Sequence, residues 1–325
     1  MGATLRVLVT TTSFQDTPGS HHDLLASQGY ELVSARGPLS EEEIHNLVGD
    51  FDGIICGDDA FTRKVLQKCL PRLKVLSKYG IGLDKVDLQA ATELRIPVCY
   101  TPGVNHTTVA EHTFGLILCL IRQIGEQNAI IKSGGWKRMT GYEMWSKTMG
   151  ILGMGRIGRE TAKRARAFGM HVIGYDVLWS DETDYFAADY GVVKAGSPEE
   201  VLKAADFLTL HMNLTKDNKG LIDARRLAMM KPTAIIVNTA RGGLVDEAAI
   251  AAALQAGKLG GYCADVFHDE PIKPDNPLLK APNTILTPHV GSRTYESVVR
   301  QATKCVQNLI AVLNGQPPLA QANRF

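Results

Sequence analysis

The sequence predicts an α/β protein of two domains, a doubly wound parallel sheet inserted into a second, discontinuous α/β domain. Three observations carry this. Short apolar, β-rich runs alternate with helical patterns over almost the whole 325-residue length. One long helical pattern interrupts the alternation after Thr101-Pro102-Gly103, and a second alternating series then begins near Met149. The last helical pattern, 294–314, brings no strand of its own, so it is best used by packing back on the first domain.

In the first series, strands are expected at 5–11, 31–34, 53–56, 75–78 and 98–100, with helices such as 41–48 and 63–69 between them. The long helix is expected at 107–132. Val109, Phe114, Leu116, Ile117, Leu120 and Ile124 recur at helical spacing, and Ser133-Gly134-Gly135-Trp136 ends the pattern. The second series places strands at 149–152, 172–175, 207–210, 234–238, 262–266 and 284–287, close to a full six-stranded nucleotide-binding sheet. Two chain crossings make a hinge, and the cleft between domains is the expected ligand site.

Charge and composition narrow the function. A net charge of +1 leaves no electrostatic footprint for nucleic acid. Six cysteines without Cys-x-x-Cys spacing read as buried thiols in a reducing compartment, hence a cytoplasmic protein. The N-terminus lacks the apolar core of a signal peptide, and Gly2 is a poor myristoylation site because Arg6 stands where Ser or Thr is wanted. The most apolar stretch, 114–121, is too short to span a bilayer. Neither a membrane partner nor a metal is expected.

The strand at 149–152 runs into Gly153-Met154-Gly155-Arg156-Ile157-Gly158, with a helical pattern at 159–168 behind it. Gly153 suits the tight turn, Gly155 the approach of a pyrophosphate to the backbone, and Gly158 the packing of helix on strand. The helix N-terminus then offers open amides to the phosphates. Asp176 closes the next strand, where a carboxylate binds ribose hydroxyls and repels a 2′-phosphate, so the expected cofactor is NAD. The inserted domain, 102–292, is therefore read as Rossmann-type, and the discontinuous one, 1–101 with 293–325, as a flavodoxin-like substrate-binding domain.

Three groups after successive strand ends supply chemistry. Thr239-Ala240-Arg241-Gly242-Gly243 offers an arginine, whose planar fork pairs with a carboxylate and stays charged. Thr287-Pro288-His289-Val290-Gly291-Ser292 offers a histidine that titrates near working pH. Between them, Asp265-Val266-Phe267-His268-Asp269-Glu270-Pro271 offers a carboxylate to orient the ring. Anion clamp, acid/base and orienting carboxylate behind a nucleotide loop describe a hydride-transfer enzyme acting on a 2-oxo or 2-hydroxy acid.

With these residues the chain resembles the D-isomer-specific 2-hydroxyacid dehydrogenases over nearly its whole length. The resemblance implies that Arg241 clamps the substrate, His289 is the general acid and base, and Glu270 is its partner. It makes Lys78-Tyr79-Gly80-Ile81-Gly82 the loop that takes the substrate carboxylate through backbone amides. It places Asp265 at the nicotinamide carboxamide, Thr239 and Ala240 in its pocket with Gly291 nearby, and Arg156 and Ile157 over the pyrophosphate. It implies a homodimer joined around 107–145, with Trp136 and Trp145 as candidate interface residues. His211-Met212-Asn213-Leu214-Thr215 lacks the proline that relatives commonly carry there.

Lys78 and Arg293 are the candidates to hold a second anionic group on the substrate. A small acid of the glycerate, hydroxypyruvate and glyoxylate class ranks first, because no further arginine cluster or C-terminal regulatory domain is expected. The alternatives are 3-phosphoglycerate as substrate and, from another class, an NAD-sensing corepressor-like binding protein.

Overall fold

A computed structural model describes residues 4–325, so Gly2 lies outside the described residues. The chain divides into two compact units, one running to Asn105 and resuming at Arg293–Phe325, the other spanning His106–Ser292. Residues 102–105, read above with the inserted domain, group with the first unit.

The first unit holds β1 (Arg6–Val9), β2 (Glu31–Ser34), β3 (Gly53–Cys56), β4 (Val75–Lys78) and β5 (Val98–Cys99) in the order β2-β1-β3-β4-β5. Every pairing is parallel. Side chains alternate across the sheet, so neighbouring residues enter different cores. Val7, Val9, Ile55 and Val75 pack with Val298, Ala302, Cys305, Val306 and Leu309 of the C-terminal helix Tyr295–Leu313. Leu8, Ile54, Cys56 and Leu76 pack with Ile44, Val65, Leu66 and Ala90 on the opposite face. The tail then covers the β5 edge: Asn323 accepts from the Val98 amide and donates to the Ile96 carbonyl, both at 2.9 Å.

The second unit holds β6 (Thr148–Leu152), β7 (His171–Tyr175), β8 (Val192–Lys194), β9 (Phe207–Leu210), β10 (Ile235–Asn238), β11 (Gly261–Ala264) and β12 (Thr284–Leu286). They form one parallel sheet ordered β12-β11-β10-β9-β6-β7-β8. This is doubly wound, with strand order reversing between β6 and β9, the place where such sheets bind ligands. The sheet has seven strands rather than six. The additional strand, β8, is only three residues long, with Val193 and Lys194 exposed at the edge, and so carries no apolar run that marks it in the sequence.

The single helix expected at 107–132 is two, His106–Ile121 and Ile124–Lys132, bent by 60°. The returning chain takes over the helix end: the Ile121 carbonyl accepts from the Tyr142 amide at 3.0 Å. Gln123 turns left-handed at φ 50°, and its side-chain amide donates to the Thr140 carbonyl. Half of the first helix's residues are buried and the second buries none. Among the described residues no single helix is long and apolar enough to cross a membrane. All six cysteines are free thiols and five are buried.

Candidate active site

The glycine loop sits where strand order reverses, between the ends of β6 and β9. Gly153 turns at φ +99°, and a Cβ there would lie 2.4 Å from the His211 carbonyl oxygen after β9. At Gly158 a Cβ would lie 2.0 Å from the Gly153 carbonyl oxygen, so that close helix–strand contact tolerates no side chain. Gly155 is different: nothing lies within 4 Å of its Cβ position. It heads the helix Arg156–Ala167 without a side-chain cap, leaving the first-turn amides open to a phosphate. Asp176 is fixed by the Met154 amide at 2.7 Å and the Leu178 amide at 2.9 Å, so the acid at the end of β7 is tied to the glycine turn. These residues fit a dinucleotide.

Asp176→Ala is expected to raise kcat/KM with NADPH relative to NADH by about tenfold, the scale of one lost charge contact. Steady-state kinetics with both cofactors check this, and an NADPH preference in the unsubstituted protein contradicts it.

His211 carries the β9 end. Its Nε2 sits between the hydroxyls of Thr209 and Thr161 at 2.9 and 3.0 Å, and burial pushes the imidazole down to about 3 from its usual 6.5. The unfolded chain therefore binds a proton here below pH 6.5 that the folded chain refuses. Its contribution to stability is full above pH 6.5 and is lost as pH falls toward 3, at no more than about 1.4 kcal/mol per pH unit. His211→Gln is expected to flatten the fall of Tm over that range in calorimetry. An unchanged slope contradicts this.

Three neighbouring strands bring the chemical groups. Arg241 follows β10, and buried Asn238 stitches its turn, accepting from the Ala240 amide at 3.0 Å and donating to the Arg241 carbonyl at 2.9 Å. Thr239 pairs with the Thr113 hydroxyl. Arg241 Nη1 donates to the Ala240 carbonyl at 2.7 Å. At Gly242 a Cβ would fall 1.9 Å from the Phe267 carbonyl carbon, so only glycine lets this turn lie against the loop that follows β11. In that loop Glu270 accepts from the Phe267 amide at 3.0 Å with one oxygen and meets His289 Nδ1 at 2.7 Å with the other. Both side chains keep about a third of their surface exposed.

His289 stands in the left-handed region at φ 52°. Asp265 holds it there. The Asp265 carbonyl accepts from the His289 amide at 2.8 Å. Its carboxylate accepts from the Val290 and Gly291 amides and from the Thr287 hydroxyl, at 2.7–2.8 Å. Burial raises this carboxyl, but hydrogen bonds from His112, Thr287 and the Val290 amide outweigh it and hold it below the usual range. Asp265, which the resemblance implies as a nicotinamide contact, also anchors the His289 loop. The roles of His112 and Thr287 at Asp265, and of Asn238 at the Arg241 turn, are not legible in the sequence, because they depend on which loops meet.

The first unit places Lys78 at the end of β4. Its ammonium is buried against Asp58 at 2.8 Å and the Tyr79 carbonyl at 3.2 Å. Gly80, at φ +121°, donates its amide to the Thr101 hydroxyl at 2.9 Å. That leaves Ile81 and Gly82 as the loop amides with no acceptor among the described residues. Arg293 donates to Asp16 at 2.7 Å. The two cations nominated for a second anion are therefore both paired with carboxylates.

A doubly wound sheet with an open glycine turn, and a histidine–carboxylate pair beside an arginine at neighbouring strand ends, define a nucleotide-dependent oxidoreductase. Residues 114–291 match the model for the D-isomer specific 2-hydroxyacid dehydrogenase, NAD binding domain. The chain is 39% identical to the glyoxylate reductase of Thermofilum pendens over 88% of its own length and 86% of the relative's. It is 42% identical to the D-3-phosphoglycerate dehydrogenase of Methanocaldococcus jannaschii over 88% of its own length but only 54% of the relative's. A solved structure from Thermus thermophilus, 38% identical, superposes with a TM-score of 0.87 over 98% of this chain and 100% of that one. The chain belongs to the D-isomer-specific 2-hydroxyacid dehydrogenase family, and its cofactor is NAD.

Proposed function

We propose that this chain interconverts a small D-2-hydroxy acid and its 2-oxo acid, with glycerate, hydroxypyruvate and glyoxylate as the preferred class. The observation that carries the reading is the 2.7 Å pair of His289 Nδ1 and Glu270 past the ends of β12 and β11, with Arg241 past neighbouring β10. Bound NAD supplies or takes up the hydride. The side chains do the rest. Arg241 holds the substrate carboxylate and polarises the carbonyl. With Nδ1 tied to Glu270, the imidazole Nε2 gives a proton to the carbonyl oxygen in reduction and takes it back in oxidation. Glu270, fixed by the Phe267 amide, sets the tautomer and orientation of the ring. In the first unit, the Ile81 and Gly82 amides are the groups assigned to the carboxylate.

The same reading takes the chain as a cytoplasmic homodimer without nucleic-acid or membrane partners. Ile124, Ile131, Trp136, Tyr142 and Trp145 expose 52–84% of their surface in one stretch of sequence, and large exposed apolar groups are what a subunit interface covers. A second copy is the occupant assigned to it.

D-Glycerate with NAD is expected to generate NADH while L-glycerate does not. Oxidation of the L-isomer alone contradicts the reading. One observation favours 3-phosphoglycerate instead, the 42% identity to a phosphoglycerate dehydrogenase. The pairing of Lys78 and Arg293 weighs against it.

A further inference from the structure

Resting on the 2-oxo acid reading above, we infer that the first unit is built against a second anion on the substrate, and that Asp58 and Asp16 are the specificity-determining residues. Lys78, beside the Tyr79–Gly80 turn, and Arg293 are each paired with a carboxylate. Lys78, 3% exposed, has its Nζ 2.8 Å from Asp58 and 3.6 Å from the Cβ position of Gly80. Arg293 donates to Asp16 at 2.7 Å. Burial pushes the Tyr79 phenol up while the charge of Arg293 works against it, so that guanidinium lies within electrostatic reach of the phenol oxygen. Asp16 also takes both terminal nitrogens of Arg36.

A third carboxylate sits one residue beyond Asp58. Asp59 is fully buried and accepts only from neutral donors, the Thr10 hydroxyl and the Gly57 and Leu39 amides. Lys78 thus meets Asp58, and Arg293 shares Asp16 with Arg36. A substrate with one carboxylate needs none of them, because the Ile81 and Gly82 amides remain for it. A phosphate or sulfonate at the far end must draw a cation away from its partner or lie near Asp58, which is 39% exposed. Specificity of this kind is set by what the site makes unfavourable for the wrong ligand.

The test compares kcat/KM for hydroxypyruvate and 3-phosphohydroxypyruvate with NADH in the unsubstituted chain, Asp58→Asn, Asp16→Asn and the double variant. The unsubstituted chain is expected to prefer hydroxypyruvate. Each substitution is expected to shift the ratio toward the phosphorylated acid by about tenfold, and the shift should shrink at high salt. Should Asp58→Asn not fold, Asp16→Asn, whose side chain lies at the surface, carries the comparison. A preference for the phosphorylated acid in the unsubstituted chain overturns the inference while leaving the dehydrogenase reading standing. So does an unmoved ratio in a folded variant. No turnover of any 2-oxo acid overturns both.

Discussion

Replacing His289 by Asn is expected to lower turnover by ~10²–10⁴ with NADH affinity almost unchanged, the loss that follows removal of a general acid. The substitution isolates the proton. Asn tolerates the left-handed backbone found at φ 52°. The bonds that hold this turn run from the backbone amides of His289, Val290 and Gly291 to Asp265, and none uses the imidazole. The loop therefore survives, and the Glu270 side chain keeps its Phe267 amide. Steady-state turnover together with a fluorescence titration of NADH separates the two effects. Turnover equal to that of the unsubstituted protein removes His289 from the mechanism.

Arg241→Ala is expected to raise KM strongly and to lower kcat as well. The combined loss in kcat/KM is about 10³-fold, roughly 4 kcal/mol of transition-state interaction. Both constants are expected to move because, in the proposed mechanism, one guanidinium orients the carboxylate and polarises the carbonyl. The turn does not depend on that side chain alone: Asn238 grips it through the Ala240 amide and the Arg241 carbonyl, and Gly242 packs on the Phe267 backbone. Arg241→Lys is the companion variant. It keeps the charge and loses the fork, so it should recover only part of the activity. Normal kinetics in Arg241→Ala mean that another residue holds the carboxylate.

Much of the fold is legible in the sequence because central parallel strands are buried on both faces and so appear as continuous apolar runs. Gly53–Cys56, Phe207–Leu210 and Ile235–Asn238 are wholly buried examples. β8 is too short to show a pattern. The bend at Gln123 depends on Tyr142 reaching back to Ile121, a contact outside any helical window. The glycine turn and the His289–Glu270 pair are legible for the opposite reason, since each follows a strand end at short spacing.

What the sequence hides is compensation. Lys78 and Arg293 read as available charges, yet Arg293 finds Asp16 277 residues away and Lys78 finds Asp58 across neighbouring strand ends. Asp265 reads as a ligand contact, and its carboxylate also organises the backbone that carries the catalytic candidate. In each case the residue type was visible and the partner was not, because long-range pairing is set by topology.

The most direct test of the central claim follows NADH absorbance with the purified chain and glyoxylate, hydroxypyruvate, pyruvate and 3-phosphohydroxypyruvate, repeated with NADPH. The account predicts fast, NADH-preferring reduction of glyoxylate or hydroxypyruvate. Tight NADH binding without turnover of any member contradicts it.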